Sequence, residues 1–298
     1  YTRHYTLSLH DALPISFGYL KTDAEAPEKL RKIAGIFEEY LMISKRIGQL
    51  IDGKYGWLKC VKEDGRIHGS VNPCGAITGR ATHAAPNVAQ VPSVGSPYGK
   101  ECRSLFTAPK GWYQVGVDAS GLELRCLAHF MYPYDNGAYA HEILNGDIHT
   151  ANQLAAGLPE RNQAKTFIYA FLYGAGDAKI GKIVHGTAKD GKRLKREFLK
   201  KTPAIADLKA AITNALVAEE HHGKVTKWKR RYLKGLDSRP LQVRSLHSAL
   251  NLLLQSAGAL ICKKWIVLLE ENLIKLGLDH GADFQYMAWV HKSLHCAH

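Results

Sequence analysis

Four side chains at four-residue steps, Arg161, Lys165, Tyr169 and Tyr173, constrain this chain more than any other feature. Residues i and i+4 share one face of an α-helix, so these four form a slowly winding stripe. Pro159 in the first turn and Gly174 at the end bound a helix over residues 159–173. A solvated helix face can carry Arg and Lys at this spacing, but it gains nothing from continuing the stripe with two tyrosines. Two cations followed by two planar rings match a nucleoside triphosphate, with charge for the phosphates and stacking for base and sugar.

A second constraint lies forty residues upstream. Trp112–Asp118 reads as a short strand, and a helix starts near Leu122. A carboxylate at a strand end, with the carbonyl of Ala119 beside it, can hold Mg²⁺. An Asp at that position is more often a turn or helix-cap residue. Glu123, about one turn further on, and Arg125 favour the metal reading. Gly176–Ile183 nearly matches the phosphate-binding loop of ATPases, but Ile183 stands where a hydroxyl must reach Mg²⁺, which argues against that loop.

The remaining pattern is mostly helical. Residues 27–50 carry Leu30, Ile33, Phe37, Tyr40, Leu41, Ile47 and Leu50 near helical period. Trp57–Val61 and Arg66–Val71 flank Glu63-Asp64-Gly65 and read as a hairpin. Residues 72–104, rich in Gly, Pro, Thr and Asn, read as a long irregular connection of the kind that carries function. Two helices are expected within 146–174, charged helices over 189–235 including Lys224–Lys234, a long helix over Gln242–Gly277 and a strand over Tyr286–His291. Thr6–Ile15 matches the translation of a sequencing adapter, with a signal peptide as the rival reading. Residues 1–16 are therefore set aside from the fold.

The balance of 40 Lys and Arg against 27 Asp and Glu gives a net charge of +13. That excess favours a polyanionic partner, with a merely basic protein as the alternative. The basic clusters Lys192, Arg193, Lys195, Arg196 and Lys224–Lys234 are either solvated helix faces or part of such a contact. The six cysteines show no C-x-x-C spacing, which fits reduced thiols in a cytoplasmic protein. His295-Cys296-Ala297-His298 reads as a tail more readily than a metal site. No apolar stretch is expected to span a bilayer, so no membrane partner is expected.

The segments GRIHGSVNPCGAITGRATHA, VDASGLELRCLAHFM, NGDIHTAN, AKTFIYAFLYGAG and LLQSAGALICK together resemble family A DNA polymerases. The closest likeness is to the replicative enzymes of T-seven-like short-tailed phages, over about residues 27–291. The resemblance implies an α+β right-hand polymerase fragment: an antiparallel palm sheet (71–130 and 251–298), helical fingers (131–250) and the end of a helical thumb (17–70). It implies DNA-directed DNA synthesis by two Mg²⁺ ions acting on primer–template DNA and deoxynucleoside triphosphates.

Carried over by motif, Asp118 and the Ala119 carbonyl would bind metal. Ser120, Glu123, His149, Arg161, Lys165, Tyr169 and Tyr173 would bind the nucleotide, with Lys165 also catalytic. Arg80, Gln90 and Gln255 would meet minor-groove acceptors that every base pair displays. His291 would lie near the primer terminus. The family would show His-Asp-Glu where this chain has His291-Lys292-Ser293. Replacing a carboxylate by an ammonium inverts the charge where a dication should sit, so this copy is expected to be inactive. The alternative reading is a non-catalytic nucleic-acid-binding remnant. The exonuclease region and most of the thumb, with the docking segment for a processivity factor, are not in this sequence. The host cytoplasm is the expected location.

Overall fold

A computed structural model describes residues 20–21, 26–221, 224–290 and 293–297. Residues 1–16 and His291 lie outside these. The chain divides into two compact units, Tyr1–Val71 with His83–Gln90, and Asn72–Thr82 with Val91–His298.

In the first unit, α1 (Glu28–Ile47) matches its expected span. It starts after Pro27 and ends in Lys45 and Arg46, cations that suit the negative end of a helix. Ala34 is its buried residue, while Ile36, Phe37 and Tyr40 are exposed. The expected hairpin is corrected here. Trp57–Cys60 is a helical turn, α2, with Trp57 buried and Leu58 exposed. Only a single bridge, Val61 to Ile67, closes the Glu63-Asp64-Gly65 turn.

The second unit is built on α7 (Arg161–Leu172) and the long α11 (Ala249–Lys275). In α7 the face opposite the polar stripe buries Ala164, Phe167, Ile168, Phe171 and Leu172. Phe167 and Phe171 meet Phe198 of α9 (Ala188–Lys201) edge-on, with centroids 5.1 and 5.4 Å apart. Around them pack α4 (Leu122–Asp135), α5 (Ala138–Asn145), α6 (Ile148–Ala156), α8 (Asp177–Ile183) and α10 (Pro203–Leu216). Residues 72–104 are not wholly irregular, since they include α3 (Gly99–Ser104) and part of the short strands β1 (Ser70–Asn72) and β2 (Thr82–Ala84).

Three strands form an antiparallel sheet in the order β3 (Gln114–Asp118), β9 (Ser293–Ala297), β8 (Gln285–Val290). Its register sets Asp118 opposite Ser293, and Ser293 opposite Val290. The segment Lys224–Lys234 is corrected from helix to strand. β4 (Val217–His221) pairs with β5 (Lys224–Trp228), and β6 (Tyr232–Lys234) pairs with β7 (Pro240–Gln242). The last helix therefore begins at Ala249, not Gln242. The expectation that no apolar stretch is long enough for a bilayer is also corrected. Residues Leu246–Lys275 meet that length and composition, but Leu250, Leu252, Leu253, Leu254 and Ala257 belong to the core.

Candidate functional site

The polar stripe of α7 forms one wall of a cleft of about 620 Å³ in the second unit. Asp118, Ser120, Glu123, His149, Lys165, Tyr169 and Tyr173 all line it. Tertiary structure thus joins the end of β3, the first turn of α4, the start of α6 and one face of α7. Lys165 is exposed, and no carboxylate lies within ion-pair distance of it among the described residues. The rings of Tyr169 and Tyr173 stack 6.3 Å apart at 30°. Burial, then the carboxylates of Glu123 and Asp118, push the Tyr169 phenol upward, so it is a neutral donor at physiological pH.

The α7 stripe ends at Tyr173, and Gly174 follows at φ 72°. A side chain there would press on the backbone oxygen of His247, so both the conformation and the space favour glycine.

Arg161 reaches the site through Asp147, a residue the sequence reading missed. The guanidinium donates from Nε to Oδ2 of Asp147 at 2.7 Å and from Nη2 to Oδ1 at 2.9 Å. Asp147 is the N-cap of α6. Its Oδ1 accepts the backbone N–H of His149 at 3.0 Å, and its Oδ2 accepts the Thr150 hydroxyl at 2.8 Å. The Arg161 guanidinium, then the Thr150 hydroxyl, hold this carboxyl far below the usual carboxylate range. An acidic residue just before a predicted helix, two ahead of a candidate His, was the available signal.

His149 is half-buried, and its Nδ1 is buried without a hydrogen-bond partner among the described residues. Burial, then the cations Arg161 and Lys165, lower its pKa, so the imidazole is neutral at pH 7. Its ring lies 6.4 Å from that of Tyr169. A neutral His, an exposed Lys and a braced Arg form a site complementary to an anion.

The remaining expected residues that the structure describes do not line this cleft. Nη2 of Arg80 lies 3.8 Å from Oε1 of Glu123, at the edge of the same site. Gln255 sits half-buried on α11 and does not line the cleft, and Gln90 belongs to the first unit. Ala119 packs against the core, beside the lining residues Asp118 and Ser120. Gly121, Arg125 and Gly146 line the cleft without having been singled out as binding residues. Asp177–Ile183 is α8, with Gly176 at its N-cap and the helix α7 before it, so no strand leads into a phosphate-binding loop there.

The donor set does not fit a two-ion magnesium site. Asp118 brings one carboxylate, and the residue opposite it in the sheet is Ser293. Glu123 is turned toward Arg80. Among the described residues no group of three His, Cys, Asp or Glu side chains could hold a metal.

The chain is similar to known proteins over most of its length. The model of DNA polymerase family A matches residues 6–297. The DNA-directed DNA polymerase of Enterobacteria phage T3 is 60% identical over 284 residues, covering 91% of this chain and 40% of that enzyme. That of Escherichia phage T7 is also 60% identical, over 281 residues, covering 90% of the chain and 40% of the enzyme. The chain thus spans well under half the length of these relatives. Among solved structures, the POL domain of Pol1 from M. smegmatis, in complex with DNA primer-template and dNTP, aligns with a TM-score of 0.71. It is 22% identical and covers 92% of this chain and 49% of that one, a likeness of fold.

Proposed function

The chain belongs to DNA polymerase family A, and from that premise we propose that its cleft takes the deoxynucleoside triphosphate of template-directed DNA synthesis. One observation carries the reading: Lys165, Tyr169 and Tyr173 of a single helix face line the same cleft as Asp118 and His149. The cations and His149 receive the phosphates, while Tyr169 stacks against sugar and base with Glu123 beside it. Tyr173 lies behind the template base. The resemblance assigns Arg80, Gln90 and Gln255 to minor-groove acceptors of the primer–template and His291 to the primer terminus.

In this assignment residues 71–130 and 251–298 are palm, 131–250 fingers and 17–70 the end of the thumb. The intact parent works by two-metal nucleotidyl transfer in the host cytoplasm and has a docking segment for a processivity factor in its thumb. This sequence does not complete that chemistry. Lys292 stands where the family has its second metal-binding aspartate and Ser293 where it has the neighbouring glutamate, and an ammonium there repels the ions that stabilise the transferring phosphoryl group. What remains is grip without transfer.

Primer extension by the purified chain tests the inactive half of the proposal. We expect no measurable incorporation, whereas template-dependent incorporation abolished by Asp118→Ala overturns it.

A further inference from the structure

We propose that Asp147 is a positioning residue for the triphosphate, acting by bracing the guanidinium of Arg161 side-on while it caps the helix that carries His149. The inference rests on the reading of the cleft as a triphosphate site. A guanidinium has five N–H donors. Asp147 takes the one on Nε and one on Nη2, which leaves three, both on Nη1 and the other on Nη2. Of those three, one N–H on each Nη points end-on, the geometry in which Arg grips a phosphate with two parallel hydrogen bonds.

One carboxylate therefore fixes two phosphate-binding groups. Its Oδ1 holds the backbone N–H of His149, which sets the start of α6, and both oxygens hold Arg161 across 14 residues of sequence. An unbraced Arg161, whose side chain is 51% exposed, would sample many rotamers and lose that freedom on binding. The carboxylate stays ionised through the neutral range, because Arg161 itself holds its pKa down. The brace therefore does not switch off near pH 7.

Two roles must be separated from this one. Asp147 could be only a helix cap, or it could compete with phosphate for Arg161. Asp147→Ser keeps an N-cap oxygen but cannot make the two-bond brace. Calorimetric titration of the purified chain with inorganic tripolyphosphate reads the difference. We expect Arg161→Ala and Asp147→Ser each to weaken binding by about tenfold, and Asp147→Ser to add no further loss in the Arg161→Ala background.

Equal binding by Asp147→Ser and the unaltered chain overturns the brace, as does tighter binding, which marks a competitor. Additive losses in the double variant overturn it too, since the residue then acts through the helix. If Asp147→Ser lowers the melting temperature, Asp147→Asn, which keeps the cap and one bond to Arg161, is held to the same cycle. Absence of tripolyphosphate binding by the unaltered chain removes the triphosphate reading itself, and the brace with it.

Discussion

At the scale of single residues the site depends on protonation and on buried hydrogen bonds. His149 has a lowered pKa, because burial and then the neighbouring cations disfavour its charged form. A phosphate against the ring favours the imidazolium, so the bound state has the higher pKa. Binding then takes up a proton, and affinity rises as the pH falls below neutrality. His149→Gln should remove that part of the slope in a pH series with tripolyphosphate. The ligand's own protonation is common to both proteins, and identical slopes would count against His149 at the phosphates. Behind the site, Asn152 is 1% exposed and donates to the Tyr139 hydroxyl at 3.1 Å. Tyr139→Phe strands that amide and should cost about 1–3 kcal/mol by denaturant unfolding, whereas a loss near zero would mean that the amide finds another partner.

At the scale of elements, helix packing is set by close backbone approach. A Cβ on Gly191 of α9 would meet the Asp177 carbonyl and the Gly181 N–H of α8, and one on Gly181 would meet the Thr187 carbonyl. Gly191→Ala should therefore cost about 1–3 kcal/mol, by forcing the helices apart, with Lys192→Ala as an exposed control near zero. Equal unfolding midpoints for the two variants would refute this contact.

The elements also show what the sequence could disclose. The α7 stripe was legible because twelve helical residues give the period room to repeat, and Asp118 was legible because an apolar run ends at it. The strands of 217–242 were not. Leu233 and Leu241 oppose each other as the one buried residue of two three-residue strands, and one residue has no period. β4 carries register shifts, which blur its alternation further. Trp57 favours strands by propensity, yet its burial is met by a single helical turn. Asp147 stayed hidden because its partner Arg161 is distant in sequence and only tertiary structure joins them.

At the scale of the whole molecule, charge and chemistry separate. The net charge of +13 does not depend on residues 292 and 293 alone, so DNA binding should survive without synthesis. Its strength is less than the residue count suggests, because several basic side chains are already engaged. Lys195 sits 2.8 Å from Asp177, Arg193 3.2 Å from Asp190 and Lys227 3.3 Å from Glu219. Binding to primer–template should be weak, indifferent to sequence and steeply reduced by salt. A flat salt series, or equal binding after neutralising both clusters, would retire this contact.

On the proposed assignment the α7 face grips a deoxynucleoside triphosphate. Titration of the purified chain, saturated with primer–template, with a fluorescent deoxynucleoside triphosphate tests it most directly. Saturable binding should weaken by about tenfold or more in Lys165→Ala, in line with the loss of one charge-assisted contact. No saturable binding, or equal affinity in Lys165→Ala, would mean that the α7 face does not hold the nucleotide.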